Sequence, residues 1–343
     1  EAGLDLGGDY LLPGVVDIHT DHMEKHIFPR HHVLWDPLNA AMAHDAQMIG
    51  SGTTTVFDAL VCGSSIKRPE RREILAPCIE ALERLGAAGM LRARHLVHLR
   101  CEISDPETPG LVADVLDHEL VTIASIMDHT PGDRQSPDVE RYITRQAAAL
   151  DLSLGEMRAK TAELIERSAH VATEVRADVA RQVLGKGLRL MSHDDASREH
   201  VRFARAEGST VAEFPTTLEA AREARKQRMS IVAGAPNFLR GGSQSGNVAV
   251  RDLLREMLVD MLSSDYVPRS PIDCAFAIAD DPEMPYTLPE ALDLVTRNPA
   301  RAAGLDDRGA MEAGQRADLI RVRRAEGRIH VAQVWVGGRC VVG

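Results

Sequence analysis

Short apolar runs rich in β-branched residues recur along the chain, separated by longer stretches whose apolar positions fall at helical spacing. The first strong run, Val15–Asp21, follows Pro13-Gly14 and reads as a buried strand. Seven more strands are expected: Thr53–Leu60, His95–Ile103, Val121–Met127, Leu188–Ser192, Thr210–Phe214, Ser230–Ala233 and Val259–Ser264. Helical patterns cover 39–50, 69–86, 109–119, 197–206, 217–227, 247–258 and 288–303. Eight strands alternating with helices predict an α/β fold, a (β/α)8 TIM-like barrel. Residues 138–184, rich in Ala, Glu and Arg, are too long for an ordinary crossover and predict two or more helices, as an added hairpin or lid. The tail changes period: Asp318–Arg323, Arg328–Val336 and Arg339–Val342 read as strands joined by Glu326-Gly327 and Gly337-Gly338 turns. The expected division is a barrel over 15–308, with its insertion, and a small β-domain made from 1–14 and 309–343.

Composition narrows the classes. A chain of 343 residues with 44% hydrophobic and 27% charged residues suits one large globular domain and a smaller one. No apolar run approaches the ~18 residues of a membrane span. A net charge of −11 argues against a general nucleic-acid surface. Cys62, Cys78, Cys101, Cys274 and Cys340 are scattered without a C-x-x-C pair, as expected of reduced cytoplasmic thiols. The sequence opens at Glu1 rather than Met, and an N-terminal piece is expected to be missing. The 138–184 helices and the short N-terminus leave surfaces that could pair two copies into a homo-oligomer.

Reactive side chains gather where strands end. His19 and Asp21, two apart, would leave an extended strand by the same face. Glu102 closes strand three, His129 follows strand four, His193 follows strand five and Asp265 follows strand eight. Three imidazoles and three carboxylates exceed the needs of one ion and suit two, sharing a bridging carboxylate and water. Mixed N/O ligation fits zinc, manganese or iron.

These residues carry a resemblance to the amidohydrolase superfamily of metal-dependent hydrolases. The Pro-Gly-apolar opening into Asp17-Ile18-His19-Thr20-Asp21, the strand-end His129 and His193, Asp265, Thr296-Arg297-Asn298-Pro299-Ala300 and Gly314-Gln315-Arg316-Ala317-Asp318-Leu319 all match its pattern. Ala43-His44-Asp45-Ala46, His98-Leu99-Arg100-Cys101-Glu102, Ser192-His193-Asp194-Asp195, Ala212-Glu213-Phe214-Pro215-Thr216-Thr217 and Arg240-Gly241-Gly242-Ser243 resemble the branch that serves phosphonate degradation through carbon–phosphorus lyase. The resemblance covers nearly the whole chain. It implies a barrel with one or two metals and a small β-sandwich built from both chain ends. It also implies hydrolysis of α-D-ribose 1-methylphosphonate 5-triphosphate to the 5-phosphate and pyrophosphate, with Asp265 taking the proton of the attacking water. His22 departs from the branch, where a polar neutral residue is expected. Many relatives bridge their ions with a carboxylated lysine. Here Lys25, Lys67, Lys160, Lys186 and Lys226 all lie away from the ends of strands three and four, which leaves Glu102 as the bridging candidate.

A triphosphate needs anchors. Arg240-Gly241-Gly242-Ser243-Gln244-Ser245-Gly246 leads toward a helix, and such a loop can turn backbone N–H groups toward an anion. Lys25, Arg30 and Arg269 follow strands one and eight and could reach phosphates. Glu213 could meet substrate hydroxyls or be a solvated strand end. His98 could support a ligand; His44-Asp45 could pack a helix or do the same. Asp194 and Asp195 could orient His193 or cap a helix, and Trp35 and Trp335 are expected to pack. Two alternatives remain at this stage: a superfamily hydrolase of cyclic amides, N-acetyl groups or amines, and a barrel that has lost its ligands and serves as a scaffold.

Overall fold

The structure, a computed structural model, describes residues 5–30, 33–64, 66, 70–243 and 245–343. Its strands are β1 (Tyr10–Pro13), β2 (Val15–Thr20), β3 (Thr53–Cys62), β4 (Arg94–Glu102), β5 (Val121–Met127), β6 (Arg189–His193), β7 (Val211–Glu213), β8 (Ser230–Gly234), β9 (Met261–Ser263), β10 (Leu319–Ala325), β11 (Arg328–Val336) and β12 (Arg339–Val342). Strands β2 to β9 pair in chain order, each parallel to the next. All eight expected barrel strands are present, with ends shifted by at most two residues. A parallel bridge between Thr20 and Asp265 brings the first and last strands together. There Asp21 N donates to Asp265 O (3.0 Å) and Asp265 N to His19 O (3.1 Å).

Each barrel strand sends at least one apolar side chain into a single interior cluster: Val16 and Ile18, Phe57, Leu96, Ile123, Met191, Val211, Val232 and Met261. The interior is a packed floor, not a pore, and each such burial contributes roughly 1.5–3 kcal/mol. The opposite strand faces pack against helices in two further clusters.

Four local readings change. The expected helix 288–303 is two helices, Leu288–Asp293 and Arg297–Ala302. The break has a cause: Leu262 N donates to Leu294 O (2.8 Å) and Val16 N to Val295 O (2.9 Å), so these carbonyls serve barrel strands. The glycine-rich stretch is helical over Ala235–Arg240, with Pro236 in its first turn and Gly241 closing it at φ +80°. The helix expected from 247 is confined to Val250–Arg255. Helices Met23–Ile27 and Ser270–Asp280 were not expected.

The insertion is a helical hairpin, Val139–Leu150 and Leu154–Gly185. Asp151 turns the chain at φ +54°, and Ser153 with Glu156 forms a capping box that starts the second helix. Ile143, Ala147 and Met157 make the seam of the hairpin. The chain ends meet as expected, in an antiparallel sheet of order β1-β10-β11-β12. Ile320, Val322, Val331 and Val334 are buried in one cluster with Met48 and Ile49 of helix Pro37–Gly50. Residues 1–4 of the expected N-terminal strand lie outside the described residues. All five cysteines are free, and only Cys340 is exposed. Trp35 does not pack as expected; it is 53% exposed. Among the described residues, no helix is long and apolar enough to cross a membrane.

Candidate metal centre

The C-terminal ends of the barrel strands place the reactive side chains around one cavity, above the apolar floor. Simple strand alternation fails at its first member. The pairing of β2 with β3 shifts register between Asp17 and Thr20. Ile18 still joins the interior cluster. His19 nonetheless reaches His98, His193 and Glu213, on β4, β6 and β7.

Glu213 is the hub. One carboxylate oxygen accepts from His19 Nδ1–H and the other from His193 Nδ1–H, both at 2.6 Å. The first of these oxygens lies 3.8 Å from His98 Nδ1. Burial works against ionising Glu213, but the three histidines outweigh it and hold its pKa well below the carboxylate range. An ionised carboxylate only accepts, so both imidazoles carry a proton on Nδ1. Burial lowers the pKa of His19 and leaves its Nε2 bare. At His193 burial is outweighed by Asp194 and Glu213, which raise its pKa, and its Nε2 would face an ion once that proton is lost. His98 repeats the arrangement by donating Nδ1–H to Ile18 O (3.2 Å). Burial lowers the pKa of His98 to about 4, which keeps the ring neutral.

Glu102 does the same for His129, at 2.8 Å from its Nδ1. Its other oxygen accepts from Ser104 Oγ (2.9 Å). Asp194 Oδ2 lies 3.5 Å from His193 Nε2 and 3.8 Å from His129 Nε2. Thus His19, His193 and Glu213 form one group able to hold a cation, and His129, His193 and Asp194 another. The Nε2 atoms of His19 and His98 and Oδ2 of Asp194 are buried without a hydrogen-bond partner. Bare nitrogen and carboxylate oxygen buried together are costly alone and fit a divalent cation of borderline softness. Asp21 and Asp265 face the same cavity as His129 and His193. Burial, with the Asp21 charge adding to it and Arg100 opposing, pushes the pKa of Asp265 up to about 7.

Backbone strain concentrates here. Asp194, Phe214 and Asp265 follow strands β6, β7 and β9 and have φ of +57°, +54° and +53°. For a phenylalanine this left-handed conformation costs on the order of 1–2 kcal/mol. It lays the Phe214 ring edge-on against His19 (4.9 Å between centroids) and His193 (5.4 Å), which fixes both imidazoles.

The structure gives two glutamates contacts that the sequence did not predict. Glu102, the expected bridge between ions, accepts from His129 with one oxygen and from Ser104 with the other. Glu213 was a candidate for substrate hydroxyls, yet it is fully buried behind two imidazoles. The anchors divide likewise. Arg240, Gly242 and Ser243 line a lobe of the cavity with Thr216, Asn237 and Tyr266. Gly241 closes a helix outside that lining, and Gln244 lies outside the described residues. Lys25 is exposed and bonds the Tyr266 carbonyl. Arg30 is exposed beside Val33, off the cavity lining. Arg269 pairs with Asp273 (3.0 Å) and bonds the carbonyl of Ile329, in the terminal sheet.

Among the described residues, the cations that reach the metal side are Arg71, Arg100 and Arg145. Arg71 is held by Glu24 (2.7 Å), and Arg100 stands 4.0 Å from Asp21. Arg145 comes with Tyr142 and Gln146 from the inserted hairpin. The only sequence signal for Arg100 was its place two residues before Glu102 on one strand face; for Arg71 and Arg145 there was none.

Known proteins match the chain over nearly its whole length. The model of the amidohydrolase family matches residues 10–341. The α-D-ribose 1-methylphosphonate 5-triphosphate diphosphatase of Escherichia coli (strain K12) is 42% identical over 338 residues, which are 98% of this chain and 89% of that protein. Among solved structures, a 5-methylcytosine deaminase from Klebsiella pneumoniae aligns at TM-score 0.62 and 13% identity, over 100% of this chain and 88% of its own. An N-acetylglucosamine-6-phosphate deacetylase from Pasteurella multocida aligns at 0.59 and 12%, over 99% and 88%. The two structures share the fold, whereas the family model and the Escherichia coli relative speak to descent: the chain belongs to the amidohydrolase family.

Proposed function

We propose that the chain is a metal-dependent diphosphatase that hydrolyses α-D-ribose 1-methylphosphonate 5-triphosphate to the 5-phosphate and pyrophosphate. The observation that carries this reading is a single cavity where Arg71, Arg100 and Arg145 stand beside His129, His193, Asp21 and Asp265. A neutral amide needs no such convergence of guanidinium groups, whereas a polyphosphate does. The Escherichia coli relative, similar over nearly its whole length, bears the name of this activity.

His19, His129 and His193 would hold two divalent ions through Nε2, with Asp21, Asp194 and Asp265 completing the set. Zinc, manganese and iron all suit these donors. Asp194, whose Oδ2 faces two imidazoles, is the better bridge, and Glu102 and Glu213 position histidines from behind. When bound, such ions polarise phosphoryl oxygens and lower the pKa of water.

The chain's own groups do the rest. Arg71, Arg100 and Arg145 orient the triphosphate and offset charge as it develops on the leaving pyrophosphate. The phosphonate end carries less charge and faces Arg240, Asn237 and Ser243. Water adds to the sugar-linked phosphorus, the bond to the next bridging oxygen breaks, and Asp265 accepts the water's proton.

Phosphorus NMR of the metal-loaded protein with this triphosphate tests the proposal. The expected result is a growing pyrophosphate signal with the phosphonate signal retained. Orthophosphate alone would refute the placement of the triphosphate. An untouched triphosphate together with amide or amine hydrolysis would refute the activity.

A further inference from the structure

A second group of histidines lies on the other side of the barrel wall. His22 caps the short helix Met23–Ile27 and His26 lies in its last turn, four residues on, so both rings face one direction. That direction is helix Pro37–Gly50, which presents His44. Ring centroids are 5.1 Å apart for His22 and His26 and 5.6 Å for His22 and His44. One ring nitrogen from each lies within 4.8 Å of the others.

The protons on this group can be assigned from its neighbours. His95 faces two carboxylates, Asp58 at 2.8 Å from Nδ1 and Asp45 at 3.4 Å from Nε2, and donates to both. Asp58 also accepts from His44 Nε2–H at 2.7 Å. His44 Nδ1 is therefore a bare lone pair, and it points at His22 Nδ1 across 3.4 Å. That separation is long for a good N–H hydrogen bond, about 2.9–3.0 Å. It equals the spacing of two nitrogens on a tetrahedral zinc, about 3.3–3.4 Å for Zn–N bonds of about 2.0–2.1 Å. His26 Nε2 is buried without a partner. A carboxylate behind a histidine that offers its other nitrogen is the usual support of a ligating imidazole.

We propose that His22, His26 and His44 bind one zinc ion outside the barrel wall, with water as the fourth ligand and Asp58 holding His44. The site is separate from the cavity. Asp58 and His95 sit on the outward faces of β3 and β4, beside Phe57 and Leu96, which point to the interior. Its effect is a clamp: it ties the segment after Asp21, which also carries Glu24 and thereby Arg71, to the first long helix. The inference does not depend on the reaction proposed above.

The test is zinc stoichiometry. Chelator-stripped wild type, His26→Phe and His22→Asn are reloaded with Zn2+, passed through a desalting column and analysed for zinc per chain, with circular dichroism to confirm folding. The wild type is expected to keep one equivalent more than either variant. Its Co2+ form should show tetrahedral visible absorption in excess of that of the variants. Equal zinc in a folded variant overturns the proposal. Anomalous scattering at the zinc edge from wild-type crystals decides it without a variant: density among the three rings supports the site, and density confined to the barrel interior refutes it.

Discussion

Replacing Glu213 by glutamine tests the logic of the centre with a change of one atom. The carboxylate accepts Nδ1–H from His19 and from His193, each at 2.6 Å. An amide of the same shape accepts from one ring only. Its NH2 group faces the other ring, which must then accept at Nδ1 and carry its proton on Nε2, where a metal should bind. Loss of one such supporting contact lowers metal affinity about 10–100-fold. Glu213 supports two rings, so Glu213→Gln is expected near the upper end, about 100-fold or ~2.7 kcal/mol. The assay is competition between the folded protein and a chromogenic chelator for Zn2+ at neutral pH. Turnover should fall in parallel at limiting metal and recover in part at saturating metal. Unchanged affinity would refute the assignment of Nε2 as the ligand atom. A raised KM with intact affinity would return Glu213 to the substrate.

Three further outcomes follow from the same geometry. Asp265→Asn should keep its fold but, with metal at saturation, lose about 10³-fold in kcat, a transition-state effect of ~4 kcal/mol; steady-state kinetics beside metal analysis would detect a turnover left intact. Arg145→Gln removes a cation that binds the triphosphate and offsets charge on the leaving pyrophosphate, so KM should rise and kcat should fall, by about tenfold or more in kcat/KM, and unaltered kinetics would exclude Arg145 from the site. His95 gives a pH dependence of stability. Burial disfavours its charged form, but Asp58 and Asp45 outweigh burial and raise its pKa to about 9. A folded pKa above the unfolded value of 6.5 stabilises the fold fully below pH ~6.5, and the contribution disappears as pH rises to about 9. It is on the order of 3 kcal/mol at about 1.4 kcal/mol per unit. Urea titration of metal-free protein should show this decline in wild type and a clearly smaller one in His95→Gln; equal declines would remove His95 as its source.

The barrel was legible because its strands are buried on both faces and so appear as unbroken β-branched runs. What the sequence hid was decided by distant partners. Leu294 and Val295 have good helical neighbours, yet their carbonyls are taken by Leu262 and Val16, and one expected helix became two. His19 and His193 were legible as ligands because each ends a strand. Glu213 ends a strand too, but nothing local distinguishes a solvated glutamate from one that supports two imidazoles across the barrel. Arg145 was hidden for a related reason: helical spacing does not say which face of an inserted hairpin meets a cavity. His22 was visible as a departure from its branch, and its partner four residues on was the unused clue.

The seam of the barrel has a consequence for how this protein comes into being. Its first and last strands meet at Thr20 and Asp265, 245 residues apart in the chain, and the backbone hydrogen bonds there belong to His19, Asp21 and Asp265 themselves. Closing a loop of that length costs about 5 kcal/mol of chain entropy. The residues that would bind metal and accept the proton are thus assembled by the contact that closes the barrel. A growing chain on the ribosome holds scattered histidines and carboxylates with no shared cavity until Asp265 has emerged. Catalytic competence therefore arrives with completion of the fold, and a partly made or locally opened barrel has no active site with which to attack the cell's other triphosphates.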